Sequence, residues 1–178
     1  MARRTRSERT PEDILAAASQ IVLRSGLHAL TIDAVAAEVG ISKGGVLHHF
    51  RTKDALIAGV VDAAVLGLET TLKQKQDAGA SRFVDALLDY AKDLYSDNQQ
   101  APRALLIAAT ENSAANQRIN SVLHGVIERT RDAGGNDGKR DVIFYAVMGI
   151  LVSRALDLLP ASAGDEAALI AQLRTLAE

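Results

Sequence analysis

The stretch from Ile32 to Phe50 constrains the fold more than any other part of the chain, because two short helical patterns meet there at one glycine. Val35 and Val39 lie four residues apart on one face, and Gly40 follows them in the position of a C-terminal helix cap. Ser42 is a favourable N-cap for the helix that comes next. This spacing predicts a helix-turn-helix.

Small and apolar residues at set positions allow the two predicted helices to pack together. Ala36 is small where the second helix has to pass close, and Ile41 is expected to be buried in the turn. Val46 lies where the second helix faces back onto Val35 and Ala36. We therefore expect these residues to form the centre of a small helical core.

Helical periodicity continues through the rest of the chain, with no strand pattern and no internal repeat. Thr10, Thr31 and Thr52 are expected N-caps, Pro11 opens the first helix, and Gly26 ends it. The other predicted helices cover residues 53–77, 81–95, 103–113 (with Pro102 opening it), 115–132, 139–159 and 166–177, and residues 133–138 are a predicted loop. The pattern predicts an all-α fold of about nine helices.

Composition narrows the class of protein. The 178 residues are 48% hydrophobic and 24% charged and include no cysteine, which suits a globular protein in the reducing cytoplasm and excludes disulfides and thiolate chemistry. The longest nearly apolar run, residues 142–152, is too short to span a membrane. No phosphate loop, nucleophile elbow or metal-ligand pattern is present, so we expect neither an enzyme nor a bound cofactor or metal.

Charge is distributed unevenly along the chain. Residues 1–53 carry eight Lys and Arg against five Asp and Glu, a net charge of +3, whereas the remainder carries twelve against seventeen, a net charge of −5. A basic front of this kind suits a polyanionic partner. The arginine-rich arm at residues 3–9 is either ordered by such a partner or is a solvated terminus.

The helix-turn-helix suggests how the basic front binds DNA. A helix that begins after Ser42 would present Lys43, Gly44, Gly45, Leu47 and His48 to the major groove. Each of the two glycines costs a helix about 1 kcal/mol relative to alanine, and a close approach of backbone to DNA would account for them. The alternative is a helix-turn-helix that serves only as a structural part of an enzyme or an interaction domain.

The sequence resembles the TetR family of bacterial transcription repressors. The resemblance is strongest over residues 11–58, where the segments 31–36 (TIDAVA), 40–44 (GISKG) and 49–56 (HFRTKDAL) follow the family's order and spacing. It implies a DNA-binding helix-turn-helix domain at residues 1–52. It also implies a helical ligand-binding and dimerisation domain at residues 53–178.

Site residues follow from the resemblance by position. It implies phosphate contacts by Thr31, Ser42, Lys43, His49 and Lys53, and base-edge or groove contacts by Gly44, Gly45, Leu47 and His48. Many members have two aromatic residues before the histidine, and here Leu47 and His48 replace them. Leu47 can still touch a thymine methyl group, and His48 can donate to guanine or phosphate. A metal site at His48 and His49 is disfavoured, because adjacent helical residues point in different directions.

The resemblance also implies an apolar effector pocket within helices five to eight. Its candidate polar groups are Tyr90, Asn112, His124 and Tyr145, and its candidate walls are Phe83, Leu87, Leu94, Leu105, Phe144 and Met148. Because only 3% of the residues are aromatic, an aliphatic or small mixed-polarity ligand is favoured over a large flat cation. Each candidate is alternatively an ordinary core or surface residue.

The last two predicted helices are unusually apolar. A monomer of this size has little surface with which to cover them, so we expect a homodimer through residues 139–159 and 166–177. On helix five, Asp85, Asp89 and Asp93 either hold a cation or form a solvated face. The expected function is a homodimeric repressor that a small molecule releases from a palindromic operator. The alternative is a DNA-bound protein of the same family that recruits a protein partner and has no inducer.

Overall fold

The chain folds into α-helices, as the sequence predicts. A computed structural model describes residues 10–80, 82–96, 101–131, 138–156, 158 and 163–178, and these residues contain no strand. The helices are α1 (Pro11–Ser25), α2 (Ile32–Val39), α3 (Lys43–His49), α4 (Lys53–Asp77), α5 (Phe83–Ser96), α6 (Ala101–Glu111), α7 (Ser113–Arg131), α8 (Lys139–Ala155) and α9 (Ala163–Leu176). A 3₁₀ turn covers Leu27–Ala29. The arginine arm, and the predicted loop apart from Gly138, lie outside the described residues.

Helix α1 is bounded by the caps that the sequence predicts. The Thr10 hydroxyl accepts a hydrogen bond from the Asp13 amide at 3.4 Å, and the Asp13 carboxylate accepts one from the Thr10 amide at 3.1 Å. This reciprocal pair satisfies two amides that would otherwise have no helical partner. Gly26 ends the helix at φ 79°, a conformation that favours glycine.

The predicted helix-turn-helix is confirmed. Thr31 caps α2 by accepting from the Ala34 amide at 3.0 Å, and Ser42 caps α3 by accepting from the Gly45 amide at 3.1 Å. Between the two helices, Gly40 adopts the left-handed conformation, with φ 76° and ψ 34°. A residue with a β-carbon is disfavoured in that conformation, so glycine fixes where α2 stops.

Helices α1, α2 and α3, which we call the head, share one apolar core. Helix α1 packs against α2, and α2 packs against α3. Val35 and Val46 are fully buried, and Ala36 is 5% exposed. The prediction of a buried Ile41 is wrong, because this side chain is only half-buried. It covers one side of Gly45, where a β-carbon would lie 3.3 Å from Ile41 Cδ1, and its other side faces solvent.

Several later helices begin or end a few residues away from the predicted positions. Helix α7 begins at Ser113 rather than at residue 115, because the Asn112 side-chain oxygen caps it by accepting from the Ala115 amide at 2.9 Å. Helix α6 begins one residue before Pro102, α5 begins at Phe83 and α9 at Ala163, whereas α8 ends at Ala155 rather than at residue 159. Helix ends depend on local caps that an apolar stripe does not specify.

The described chain forms two compact units. The first unit combines residues up to Ala64 with Ala104–Ile119, and the second combines Val65–Arg103 with Asn120–Glu178. In the second unit α5 packs against α8 and α9. Its core includes the fully buried Leu88 and Ile143.

Helix α4 is the one described helix that is long and apolar enough to cross a membrane by length and composition alone. Its most apolar window has a mean hydropathy of 1.7, and 33% of that window is buried. The nearly apolar run at residues 142–152 lies elsewhere, in α8. Leu56, Ile57, Val60 and Val61 are all buried in the first unit, and a core helix requires apolar residues of this kind.

Candidate nucleic-acid interface

One side of α3 is turned away from the core of the head. Gly44 and His48, one helical turn apart, are exposed there, Lys43 and His49 are exposed at the two ends of the helix, and Val46 is fully buried. Gly45 and Leu47 are half-buried at the edges. We call Lys43, Gly44, His48 and His49 the exposed α3 face. It offers cationic and hydrogen-bonding groups to a large polar partner.

Two capping hydroxyl groups flank this face. Thr31 and Ser42 are both exposed, and each hydroxyl oxygen accepts a hydrogen bond from a backbone amide of its own helix. A hydroxyl that accepts still has one O–H to donate. Both side chains are therefore held in place with a donor available for a phosphate oxygen.

Lys43 makes an ion pair across the turn of the motif. Its Nζ atom lies 2.9 Å from Asp33 Oδ2, and the two side chains are 58% and 69% exposed. Asp33 was not among the site residues predicted from the sequence. The ten-residue separation of the two residues gave no sign of contact, because the turn at Gly40 decides which residues of α2 and α3 meet.

Lys53 has a structural partner within the first unit. Its Nζ atom donates to the Leu27 carbonyl oxygen at 2.8 Å, which joins the first residue of α4 to the turn that follows α1. An ammonium group has three donors, so this bond leaves two for other acceptors. The predicted phosphate contact at Lys53 stays a prediction.

The two glycines of α3 have different surroundings. A β-carbon on Gly44 would meet only Ser42 Oγ, at 3.8 Å, whereas one on Gly45 would lie 3.3 Å from Ile41 Cδ1. A β-carbon would therefore be crowded by the protein at position 45 but not at position 44. Close approach of a partner molecule remains an explanation for Gly44.

The adjacent histidines contact each other. The rings of His48 and His49 lie edge to face, with their centroids 5.1 Å apart. Across the part of the chain that the structure describes, no group of three His, Asp or Glu side chains is placed to hold a metal ion.

The predicted solvated face of α5 holds only in part, because the Asp89 and Asp93 side chains are 40% and 55% exposed whereas Asp85 is buried. Asp85 is 8% exposed, and its carboxylate accepts from Arg82 at 2.9 and 3.0 Å. Arg174 of α9 donates to Asp89 at 2.7 Å, and Lys75 pairs with Asp93. The fold brings these cations onto the aspartate side of α5, and the hydrogen bonds from Arg82 are the main cause of the lowered pKa of Asp85.

The predicted effector residues have varied surroundings. Phe83, Leu87 and Phe144 are buried in the core of the second unit, and Tyr90 and Met148 pack against that core. Burial raises the pKa of Tyr90. Tyr145 is 65% exposed, and His124 is also exposed. Leu105 and Asn112 belong to the first unit, and the Leu94 side chain lies outside the described residues.

Sequence reasoning missed two features of the second unit. The Arg129 guanidinium lies 4.0 Å from the centroid of the Phe83 ring, a cation–π contact. A surface pocket of about 490 Å³ is lined mainly by charged residues: Lys75, Arg82, Asp85, Asp89, Arg174 and Glu178. None of the predicted effector residues lines this pocket.

A small helical head with an exposed cationic helix after a glycine turn defines a helix-turn-helix DNA-binding protein. Residues 14–60 match the family profile described as bacterial regulatory proteins, tetR family. Residues 81–178 match the profile described as tetracyclin repressor-like, C-terminal domain. The chain belongs to the TetR family of bacterial transcriptional regulators.

One curated relative is similar in sequence, and two solved structures are similar in fold. The HTH-type transcriptional repressor BepR of Brucella suis biovar 1 (strain 1330) is 29% identical over 140 residues, which cover 73% of this chain and 62% of BepR, less than two thirds of that relative. NalD, the secondary repressor of the MexAB-OprM multidrug efflux pump in Pseudomonas aeruginosa, has a TM-score of 0.71 and 20% identity over 96% of each chain. The multidrug-binding protein EbrR, solved with malachite green, has a TM-score of 0.70 and 20% identity over 93% of this chain and 98% of EbrR.

Proposed function

We propose that this regulator is a homodimeric, sequence-specific repressor that a small molecule releases from a palindromic operator. The observation that carries the proposal is the exposed α3 face, which presents Gly44 and His48 one turn apart and Lys43 at the start of the helix, while Val46 is fully buried. Burial of one side fixes the helix in the head, so the other side can enter the major groove as a rigid element.

The proposed contacts divide into two groups. Thr31, Ser42, Lys43, His49 and Lys53 bind phosphates and set the position of the head on the duplex. Gly44, Gly45, Leu47 and His48 face the base edges. Leu47 suits a thymine methyl group, and His48 suits a guanine acceptor.

Gly44 gives the sharpest test of this arrangement. Nothing in the protein opposes a β-carbon there, so Gly44→Ala should stabilise the fold by about 0.5–1 kcal/mol. If the backbone approaches DNA at this point, the same methyl group should weaken operator binding at least about tenfold, a loss of 1.4 kcal/mol or more. Gly67→Ala is the matched control, because Gly67 is also helical and open but lies in α4.

The experiment compares fluorescence anisotropy titrations with urea unfolding. The duplex is one that the wild-type protein enriches from a randomised library, and binding is measured over a range of salt concentrations. The proposal is supported if operator affinity falls steeply with salt and if Gly44→Ala loses operator affinity while Gly67→Ala keeps it. No enriched duplex, or binding that does not depend on salt, would exclude sequence-specific DNA binding.

Exposed apolar residues on α8 and α9 support the proposed dimer. Val142 and Tyr145 are 56% and 65% exposed and lie three residues apart on α8, and Leu169 of α9 is 43% exposed. Side chains three apart share one face of a helix. A second copy that covers these faces would form a four-helix interface and would place two heads on one palindrome.

We place the proposed effector in the second unit, near Tyr90, Phe144 and Met148. The complex of EbrR with malachite green supports a small-molecule ligand. The ligand would bind better to a conformation that does not fit the operator, and would weaken operator affinity by a coupling of about 1–3 kcal/mol. Because Lys53 joins the start of α4 to Leu27, movement of this part of α4 would displace the head.

A further inference from the structure

We propose that Asp33 is a positioning residue that raises the specificity of DNA binding. Its carboxylate holds Lys43 in the orientation that suits the operator and opposes the unspecific attachment of Lys43 to the phosphates of other sequences. This inference rests on the proposed DNA-binding function and adds to it an acidic residue that the phosphate contacts alone do not explain.

The position of Asp33 is the first argument. Asp33 lies in the first turn of α2, two residues after Thr31, and Lys43 is the first residue of α3. The distance of 2.9 Å between Lys43 Nζ and Asp33 Oδ2 places a carboxylate beside the exposed α3 face. A phosphate that approaches Lys43 therefore meets a negative charge of the protein at close range.

Exposure is the second argument. The two side chains are 58% and 69% exposed, and ion pairs as exposed as this contribute little to folding stability. The ion pair therefore explains little of why an acid stands here, and a carboxylate in the first turn of α2 gains only a small stabilisation from the helix dipole. An effect on what approaches the exposed α3 face is a further role for it.

The two modes of DNA binding use Lys43 differently. On unrelated DNA, attachment comes almost entirely from neutralised phosphates, so Lys43 has to leave Asp33 or bring a phosphate close to it. On the operator, contacts to the base edges fix the register of α3 and offset this repulsion, so Lys43 keeps its bond to Asp33 and reaches one phosphate at a fixed place with its remaining two donors. Asp33 thus weakens binding to unrelated DNA and orients the Lys43 side chain for binding to the operator.

Glu38 provides a matched control on the same helix. It also carries one negative charge and pairs with an arginine, since its carboxylate lies 2.9 Å from Arg24 of α1. Glu38→Gln therefore removes the same charge from α2 without disturbing Lys43. Because both variants change the net charge equally, any difference in DNA binding between Asp33→Asn and Glu38→Gln is due to the position of the charge.

The experiment measures dissociation constants for two duplexes over a range of salt concentrations. One is the duplex that the wild type enriches from a randomised library, and the other is an unrelated duplex of mixed sequence. The specificity ratio is the dissociation constant for the mixed duplex divided by that for the enriched duplex. Asp33→Asn should bind the mixed duplex about threefold more tightly and lower this ratio by at least that factor. Asp33→Glu should keep a ratio close to that of the wild type, and Glu38→Gln should leave the ratio unchanged.

A double-mutant cycle then tests whether the effect passes through Lys43. In a Lys43→Ala background, Asp33→Asn should no longer change the specificity ratio. The inference would be overturned if Asp33→Asn and Glu38→Gln changed the specificity ratio equally, or if Asp33→Asn still changed it in the absence of Lys43. Either result would leave the proposed DNA binding intact. If the wild type enriches no duplex, it is the proposed function that fails. Asp33→Ser serves as a second variant if Asp33→Asn lacks the helical circular dichroism of the wild type.

Discussion

Gly59 of α4 and Phe50, which follows α3, lie so close together that a β-carbon on Gly59 would be 2.8 Å from Phe50 Cε1. The same β-carbon would also be 2.8 Å from Leu15 Cδ2 of α1. Real β-carbons are not found this close to other atoms, so neighbouring groups would have to shift. Glycine at position 59 therefore lets α4 pass close to the end of α3.

Gly59→Ala should destabilise the protein by about 1–2 kcal/mol, because the clash outweighs the better helix propensity of alanine. Urea unfolding followed by circular dichroism measures the change. Gly67→Ala is the control in the same helix, where a β-carbon meets nothing within 4 Å, and it should not destabilise. Equal unfolding free energies for the two variants would show that the Phe50 side chain moves aside without an energetic penalty.

Val46→Ala and Leu47→Ala should separate stability from DNA binding. Val46 is fully buried, so its truncation should cost about 2 kcal/mol of unfolding free energy. Leu47 is half-buried at the edge of the exposed α3 face, and its truncation should reduce operator affinity more than stability. Unfolding and anisotropy measurements on both variants check this. A Leu47→Ala variant that loses stability but keeps its operator affinity would contradict it.

Lys43→Ala and Lys53→Ala should both weaken DNA binding but should differ in stability. The hydrogen bond from the Lys53 ammonium to the Leu27 carbonyl is partly buried, so its removal should cost about 1 kcal/mol of unfolding free energy. The Lys43 pair with Asp33 is exposed, and its removal should leave stability nearly unchanged. Urea titrations of the two variants test the difference, and equal unfolding midpoints would argue against the structural role of Lys53.

The link between Asp85 and Arg82 should make stability depend on pH in the acid range. Arg82 lowers the pKa of Asp85 below its ordinary value of 3.8, so the folded state favours the ionised form. The stabilisation is present above pH 3.8 and is lost as the pH falls through the lower, folded-state pKa. Thermal unfolding of the wild type and Asp85→Asn should therefore differ most near neutral pH and converge in acid.

Asp62→Asn is the control for that experiment. Asp62 also pairs with an arginine, Arg118, at 2.9 Å, but both side chains are more than half exposed. An exposed ion pair contributes little to stability, so the Asp62→Asn variant should unfold at the same temperature as the wild type at every pH. A constant difference between wild type and Asp85→Asn down to low pH would contradict the expected linkage.

Tyr145→Glu should dissociate the proposed dimer. Tyr145 and Leu66 are matched in exposure, at 65% and 64%, but Tyr145 lies on α8 and Leu66 on α4. A buried, unpaired carboxylate at the dimer interface is strongly unfavourable, whereas the same charge in water is not. Sedimentation at micromolar concentration should give a monomer for Tyr145→Glu and a dimer for Leu66→Glu. A monomeric wild type would rule out the dimer altogether.

Local chemistry in the sequence was enough to predict the helix-turn-helix. Thr10, Thr31 and Ser42 each cap a helix as expected, and Gly40 takes the left-handed conformation that ends α2. Each of these features involves residues a few positions apart, because caps and turns satisfy backbone groups of their own segment. The four-residue spacing of Val35 and Val39, with Val46 facing them from the second helix, likewise predicted one shared core.

Tertiary structure alone decided which distant residues meet. The family resemblance implied a phosphate contact by Lys43, but only the turn at Gly40 brings Asp33 to it. The aspartates of α5 looked solvated, yet α9 supplies Arg174 to Asp85 and Asp89. Glycine at position 59 had no local explanation until α4 was seen to pass beside Phe50. Such contacts depend on how whole helices pack, and neither helical periodicity nor capping residues carry that information.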